Sequence, residues 1–89
     1  MHINIKVTGR VQGVFFRHST RKKAESLDIK GFVKNEPDGS VYIEAEGEPS
    51  ALEDFISWVK EGPRAARVDN VQIEKVDTEK NFTGFGVRH

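Results

Sequence analysis

The sequence predicts an α+β sandwich, one β-sheet with two helices packed on a single face. Three observations predict it. Apolar residues alternate with period two around Ile3–Val7 and Val41–Ala45. They recur at helical spacing around Phe16–Leu27 and Leu52–Val59. The two kinds of segment follow one another as β-α-β-β-α-β. With 89 residues the chain reads as one domain, residues 1–89, with room for a single modest core.

The first strand, His2 to Thr8, sends Ile3, Ile5 and Val7 to one side and His2, Asn4 and Lys6 to the other, the pattern of a half-buried strand. Gly9 to Gly13 is a turn region. From Phe16 the period switches. Phe16, Thr20, Ala24 and Leu27 share one helix face, Arg21, Lys22, Glu25 and Asp28 the other, and the helix is expected to end near Asp28. Gly31 to Asn35 is a short strand. Glu36-Pro37-Asp38-Gly39 is a turn, because proline presets its φ and Asp-Gly accepts a positive one at little steric cost. Ser40 to Glu46 alternates again through Val41, Ile43 and Ala45, so residues 31–46 form a hairpin.

Glu48-Pro49-Ser50 opens a second helix, with Ser50 and Glu53 spaced as a capping box. Its stripe is Leu52, Phe55, Ile56 and Val59, and Gly62-Pro63 stops it. After a loop, Arg64 to Arg67, a strand is expected at Asp69–Asp77 around Val71 and Ile73. A short fifth strand is expected at Phe82–Arg88, with Phe85 and Val87 on one face. The order is the ferredoxin-like split βαβ pattern, an antiparallel sheet with both helices on one face.

Lys+Arg and Asp+Glu number 14 each, so no global field draws the protein to nucleic acid or anionic lipid, and anion recognition must be local. The absence of cysteine excludes disulfides, thiolate metal sites and thiol nucleophiles. The opening Met-His-Ile-Asn-Ile-Lys has no apolar signal region and no run approaches a membrane span, so the expectation is a cytoplasmic monomer without a membrane partner.

The segment richest in chemistry is Gly9-Arg10-Val11-Gln12-Gly13-Val14-Phe15-Phe16-Arg17, between the first strand and the first helix. Two glycines let the backbone turn successive N–H groups inward, and the helix start adds partial positive charge. Arg17, on the first helical turn, opposes the helix dipole at a cost of ~0.3–1 kcal/mol. Its planar fork matches phosphate oxygens. Spacing alone fits ordinary turn glycines and a solvated arginine equally well. By turn preferences alone, Asn35 reads as a residue bonding its own backbone.

This segment resembles the first signature of the acylphosphatase family, with every motif position filled. Gly31-Phe32-Val33-Lys34-Asn35-Glu36-Pro37-Asp38-Gly39-Ser40-Val41 resembles the second, and weaker similarity continues through Trp58–Val68, so the resemblance covers nearly the whole chain. It implies the ferredoxin-like sandwich. It implies that Arg17 binds phosphate, that Asn35 orients the attacking water, and that the loop amides of Gln12, Gly13, Val14, Phe15 and Phe16 cradle the phosphoryl group. The implied reaction is hydrolysis of a small acyl phosphate to carboxylate and inorganic phosphate, with no cofactor and no metal.

The residues suit that chemistry independently of the resemblance. Neither motif holds a carboxylate except Asp38 in the turn and its neighbour Glu36, and the histidines are scattered. A carboxylate leaving group, with a conjugate-acid pKa of about 4, needs no protonation by a general acid. An alkoxide would. His2 and His89 sit at the termini with no metal-ligand partners at usable spacing, and His18, next to Arg17, reads as a solvated helix residue rather than one that tunes the site. Arg21, Lys22 and Lys23 read as a solvated face. Phe15 and Phe16 read as one loop-shaping and one core residue, and Trp58, off its helix stripe, as partly exposed or covering Gly62-Pro63. Two other functions compete. An RNA-recognition module is echoed in Lys30-Gly31-Phe32-Val33, but its further aromatics are missing and the net charge is zero. A carrier domain could bind a small anion without chemistry.

Overall fold

In a computed structural model describing residues 1–89, the chain runs β1 (His2–Arg10), α1 (Phe16–Ser26), β2 (Lys30–Asn35), β3 (Val41–Glu46), α2 (Pro49–Glu61), β4 (Arg67–Val76) and β5 (Phe85–Arg88). The strands form one sheet in the order β4-β1-β3-β2-β5. Period-two alternation decides which face is covered. β1 and β3 pair antiparallel with Ile3 opposite Ala45, Ile5 opposite Ile43 and Val7 opposite Val41, and all six are buried. Phe16 and Ala24 of α1 and Leu52, Phe55 and Val59 of α2 join them in a single apolar cluster, so both helices cover the same face. Full burial of each large side chain stabilises by roughly 1.5–3 kcal/mol.

The sheet is not purely antiparallel, because β5 runs parallel to β2. The register explains why. Val76, His2, Glu46 and Lys30 stand in one row across β4, β1, β3 and β2. The end of β4 and the beginning of β2 therefore lie at the same end of the sheet. A chain that crosses from there to the far edge can only run alongside β2 in its direction. Residues 77–84 make that crossing over the face the helices leave open.

That crossing also overturns two sequence expectations. Phe82 is not in the fifth strand, which starts at Phe85; its ring stacks against His2 and Phe32 at 6.0 and 5.8 Å. His2 is fully buried. Nδ1 meets Glu46 Oε2 at 2.7 Å, and Nε2 lies 3.2 Å from Glu44 Oε1. Lys80 covers the pair, its Nζ bonding Glu44 at 2.9 Å and its backbone amide bonding Glu46.

Helix ends differ from expectation for local reasons. Pro49 occupies the first helical position with Glu48 before it, and no side chain caps this end. Proline's fixed φ and missing N–H make it the starting residue, which leaves Ser50 inside the first turn and removes the capping box. α1 ends at Ser26 because Asp28 turns to φ 57°, and the amides of Asp28 and Ile29 bond the carbonyls of Glu25 and Ala24, a Schellman closure. Trp58 is half-buried, 6.0 Å from the Phe16 ring.

Candidate active site

The end of the sheet opposite the His2 row carries the chemistry. There Asn35 stands opposite Val41 and Val41 opposite Val7, while β1 continues to Arg10. A bulge between Thr8 and Gly9 shifts the β1–β4 register. Gly9 lies at φ 130°, where a Cβ would collide with the Arg67 carbonyl, so glycine is required for this bend. The loop that follows is pinned by Val11, which is buried, and by Val14, packed against the core. Between and after them, Gly13 (φ 75°) and Phe15 (φ 59°) adopt left-handed conformations that re-aim the backbone.

Phe15 is the residue before α1, and no side chain caps the helix. The first intrahelical bond is Ser19 N–H to the Phe15 carbonyl at 3.0 Å, and no backbone amide from Gln12 to His18 donates within the chain. This run of free donors, ending at a helix N-terminus, is an anion cradle in form. Arg17 stands beside it. Its Nη1 donates to the Arg88 carbonyl at 2.9 Å and to His89 Nδ1 at 3.2 Å. A guanidinium only donates, so in this contact His89 Nδ1 is the acceptor. The end of β5 thus orients Arg17 without neutralising it, and no carboxylate pairs with Arg17.

Arg17 and Asn35, remote in sequence, line the same cleft of about 580 Å³. Gly13, Phe15 and Phe16 line it too, with Val11 and Val87 as apolar wall. His18, Arg21 and His89 add basic groups, and no Asp or Glu contributes to the lining. In a molecule with zero net charge this is a local positive field. The Asn35 side-chain carbonyl is buried and has no hydrogen-bond partner, a state that is costly unless a ligand or water uses it.

The side chains of two cradle residues turn away from the cleft, while their backbone amides stay unbonded within the chain. Val14 packs on the core. Gln12 turns its side chain to the β2–β3 hairpin, its Nε2 donating to the carbonyls of Glu36 and Ser40 at 2.8 Å each. Asp38 is a turn former. Hydrogen bonds from the Ser40 side chain and amide, followed by one from Lys6, hold its carboxyl well below the usual carboxylate range. Sequence reasoning missed His89 and Arg88 as partners of Arg17. They reach it because β5 runs parallel to β2 with Arg88 opposite Lys34, a pairing no local pattern announces.

Known proteins share this architecture. The family model for acylphosphatase matches residues 3–87. An acylphosphatase of Salinibacter ruber is 52% identical over 86 residues, 97% of this chain and 90% of its own. The crystal structure of acylphosphatase from Bacillus subtilis superposes with a TM-score of 0.96 at 34% identity, covering 99% of this chain and 98% of that one. A Coxiella burnetii acylphosphatase structure gives 0.92 at 45% identity, covering 98% and 90%. With the alternation, the two helices on one face and the cleft of Arg17 and Asn35 all in place, the chain belongs to the acylphosphatase family.

Proposed function

We propose that this cleft hydrolyses small acyl phosphates, with Arg17 and the Gln12–Phe16 amides holding the phosphoryl group and Asn35 orienting the attacking water. The observation that carries the reading is the pairing, in one basic cleft, of unpartnered amides beside Arg17 with the unpartnered side-chain carbonyl of Asn35. The first set donates, as an anion requires. The second accepts, as a water O–H requires.

The water attacks phosphorus, the bond from phosphorus to the carboxylate oxygen breaks, and its electron pair leaves with the carboxylate. Both water protons end on the phosphate, so an acyl phosphate dianion and water give carboxylate and H2PO4−. With no Asp or Glu lining the cleft, the carboxylate leaving group suits the site, since it departs without protonation. Positioning and charge stabilisation are the main contributions left to the protein. The expectation of a cytoplasmic monomer without a nucleic-acid partner belongs to the same proposal. Its zero net charge supports the last point, and elution at 10.0 kDa in size-exclusion chromatography tests the monomer.

The test is steady-state hydrolysis of benzoyl phosphate with inorganic phosphate as inhibitor. Losing charged hydrogen bonds worth ~1.5–3 kcal/mol each, Arg17→Ala should weaken phosphate inhibition about 100-fold or more. Arg17→Lys should fail as well, because an ammonium lacks the fork. Full activity in Arg17→Lys overturns the assignment. Asn35→Ala should lose turnover and keep phosphate affinity. Phosphate binding without any turnover by the unmodified protein would instead indicate an anion carrier.

A further inference from the structure

The two halves of the cleft come from strands that are not neighbours. The amide loop follows β1, Asn35 ends β2, and β3 lies between them. No backbone hydrogen bond joins the loop to the hairpin turn. The carboxamide of Gln12 makes the connection. Its Nε2 bonds the Glu36 carbonyl, one residue past Asn35, and the Ser40 carbonyl at the far side of the turn, both at 2.8 Å.

Each of these carbonyls already belongs to a closed turn. The Ser40 carbonyl also accepts the Glu36 amide at 2.8 Å, and the Glu36 carbonyl the Gly39 amide at 3.1 Å. Asp38 locks the turn from inside through Ser40, and Lys6 of β1 holds Asp38 at 3.0 Å. The turn is therefore a rigid body, and a bond to its two ends fixes its placement against whatever donates that bond. The donor here is a residue of the phosphate loop.

We propose that Gln12 is a positioning residue: it sets the distance between the anion cradle and Asn35 by fastening the loop to the Glu36–Ser40 turn. The proposal rests on the role given to Asn35 above. It separates the two functions of the motif residue, because the Gln12 backbone belongs to the cradle while its side chain serves the water site. The Gln12 side chain does not touch the reacting atoms: its Nε2 is turned to the hairpin, and Gln12 is absent from the cleft lining.

The experiment is a double-mutant cycle. Gln12→Met keeps length and flexibility and removes both donors; Gln12→Ala is the second variant should the first not fold. Each is assayed for kcat with benzoyl phosphate, for inhibition by inorganic phosphate, and for its urea midpoint, with kcat expressed per folded molecule. A displacement of the water site should lower kcat about 10- to 100-fold, as small misplacements do. Phosphate inhibition should stay within about twofold of the wild type, as for uncoupled sites. In an Asn35→Ala background the same substitution should change kcat less than about twofold, because the group it positions is gone.

Equal losses of kcat in both backgrounds overturn the proposal. So does a loss of phosphate affinity with kcat intact, which would make the side chain part of the anion site. A lowered urea midpoint with unchanged kcat per folded molecule overturns it as well, since Gln12 would then be only structural. Wild-type kcat in Asn35→Ala removes the role of Asn35 and this proposal together. Wild-type kcat in Gln12→Met beside a crippled Asn35→Ala removes this proposal alone.

Discussion

Phe15 carries a conformation that its side chain does nothing to favour. It sits at φ 59° and is 82% exposed, and it alone among the six phenylalanines has no aromatic neighbour. A left-handed backbone costs an L-residue roughly 1–2 kcal/mol, while glycine's extra unfolded-state freedom costs ~0.5–1 kcal/mol. We therefore expect Phe15→Gly to leave stability unchanged or raise it by up to about 1 kcal/mol in urea unfolding, and a clear loss would show that the ring packs. Reading residues in sequence reached this position only in part. Two aromatics in a row, one in the core and one in the loop, is a pattern the helix period resolves, and Phe16 is buried as that period requires. Arg17 and Asn35 were legible through the motifs that contain them. So was the backbone of Gln12, but not the contact its side chain makes, because a carboxamide can point either way from the same backbone, and only the fold shows the hairpin within its reach.

At the scale of elements, β3 joins both faces of the sheet. Its inward residues build the core. Its outward Glu44 and Glu46 meet His2 of β1 and the crossing segment at Lys80 and Phe82. Burial pushes both carboxyls up, but the bonds they accept outweigh it. Lys80 and Tyr42 bond Glu44, His2 and the amides of Lys80 and Phe82 bond Glu46, and both fall below the ordinary 4.5. Unfolded chains then bind more protons than folded ones below that value, so stability is present in full above pH 4.5 and is lost as the pH falls through the lower folded values. We expect Glu46→Gln to lower the urea midpoint at pH 7 and to flatten its decline below about pH 4.5, read from midpoints across a pH series. An acid decline as steep as the wild type's would remove Glu46 from this account. The strands themselves were legible because each has one apolar side, so a period of two is visible without neighbours. The burial of His2 was not, since its cover arrives from residue 80 and a histidine in an alternating strand reads as solvent-facing. The capping box failed for the same kind of reason. Its spacing was present, but Pro49 had already decided where the helix begins.

At the scale of the molecule, charge is balanced in number and paired over much of the surface, but one-sided in the cleft lining. Lys+Arg and Asp+Glu are 14 each, yet the cleft is lined by Arg17, Arg21, His18 and His89 with no acid among them. Attraction for an anionic substrate is therefore confined to one end of the sheet and is screened by salt within about 10 Å at 0.1 M. Raising ionic strength from low salt to 0.5 M should raise KM for benzoyl phosphate several-fold and leave kcat nearly constant, and a flat KM would show that contact hydrogen bonds alone govern capture. The sheet order has a further consequence, for the time at which the fold can form. β1 is flanked on both sides, with Val7 opposite Val41 of β3 and Val71 of β4. It leaves the ribosome before either partner, so this interior strand must wait for about half of the chain to meet β3 and until residue 76 to meet β4. Loop closures of that length slow folding, and the β2–β3 hairpin, whose partners are close in sequence, is the piece able to pair while synthesis continues.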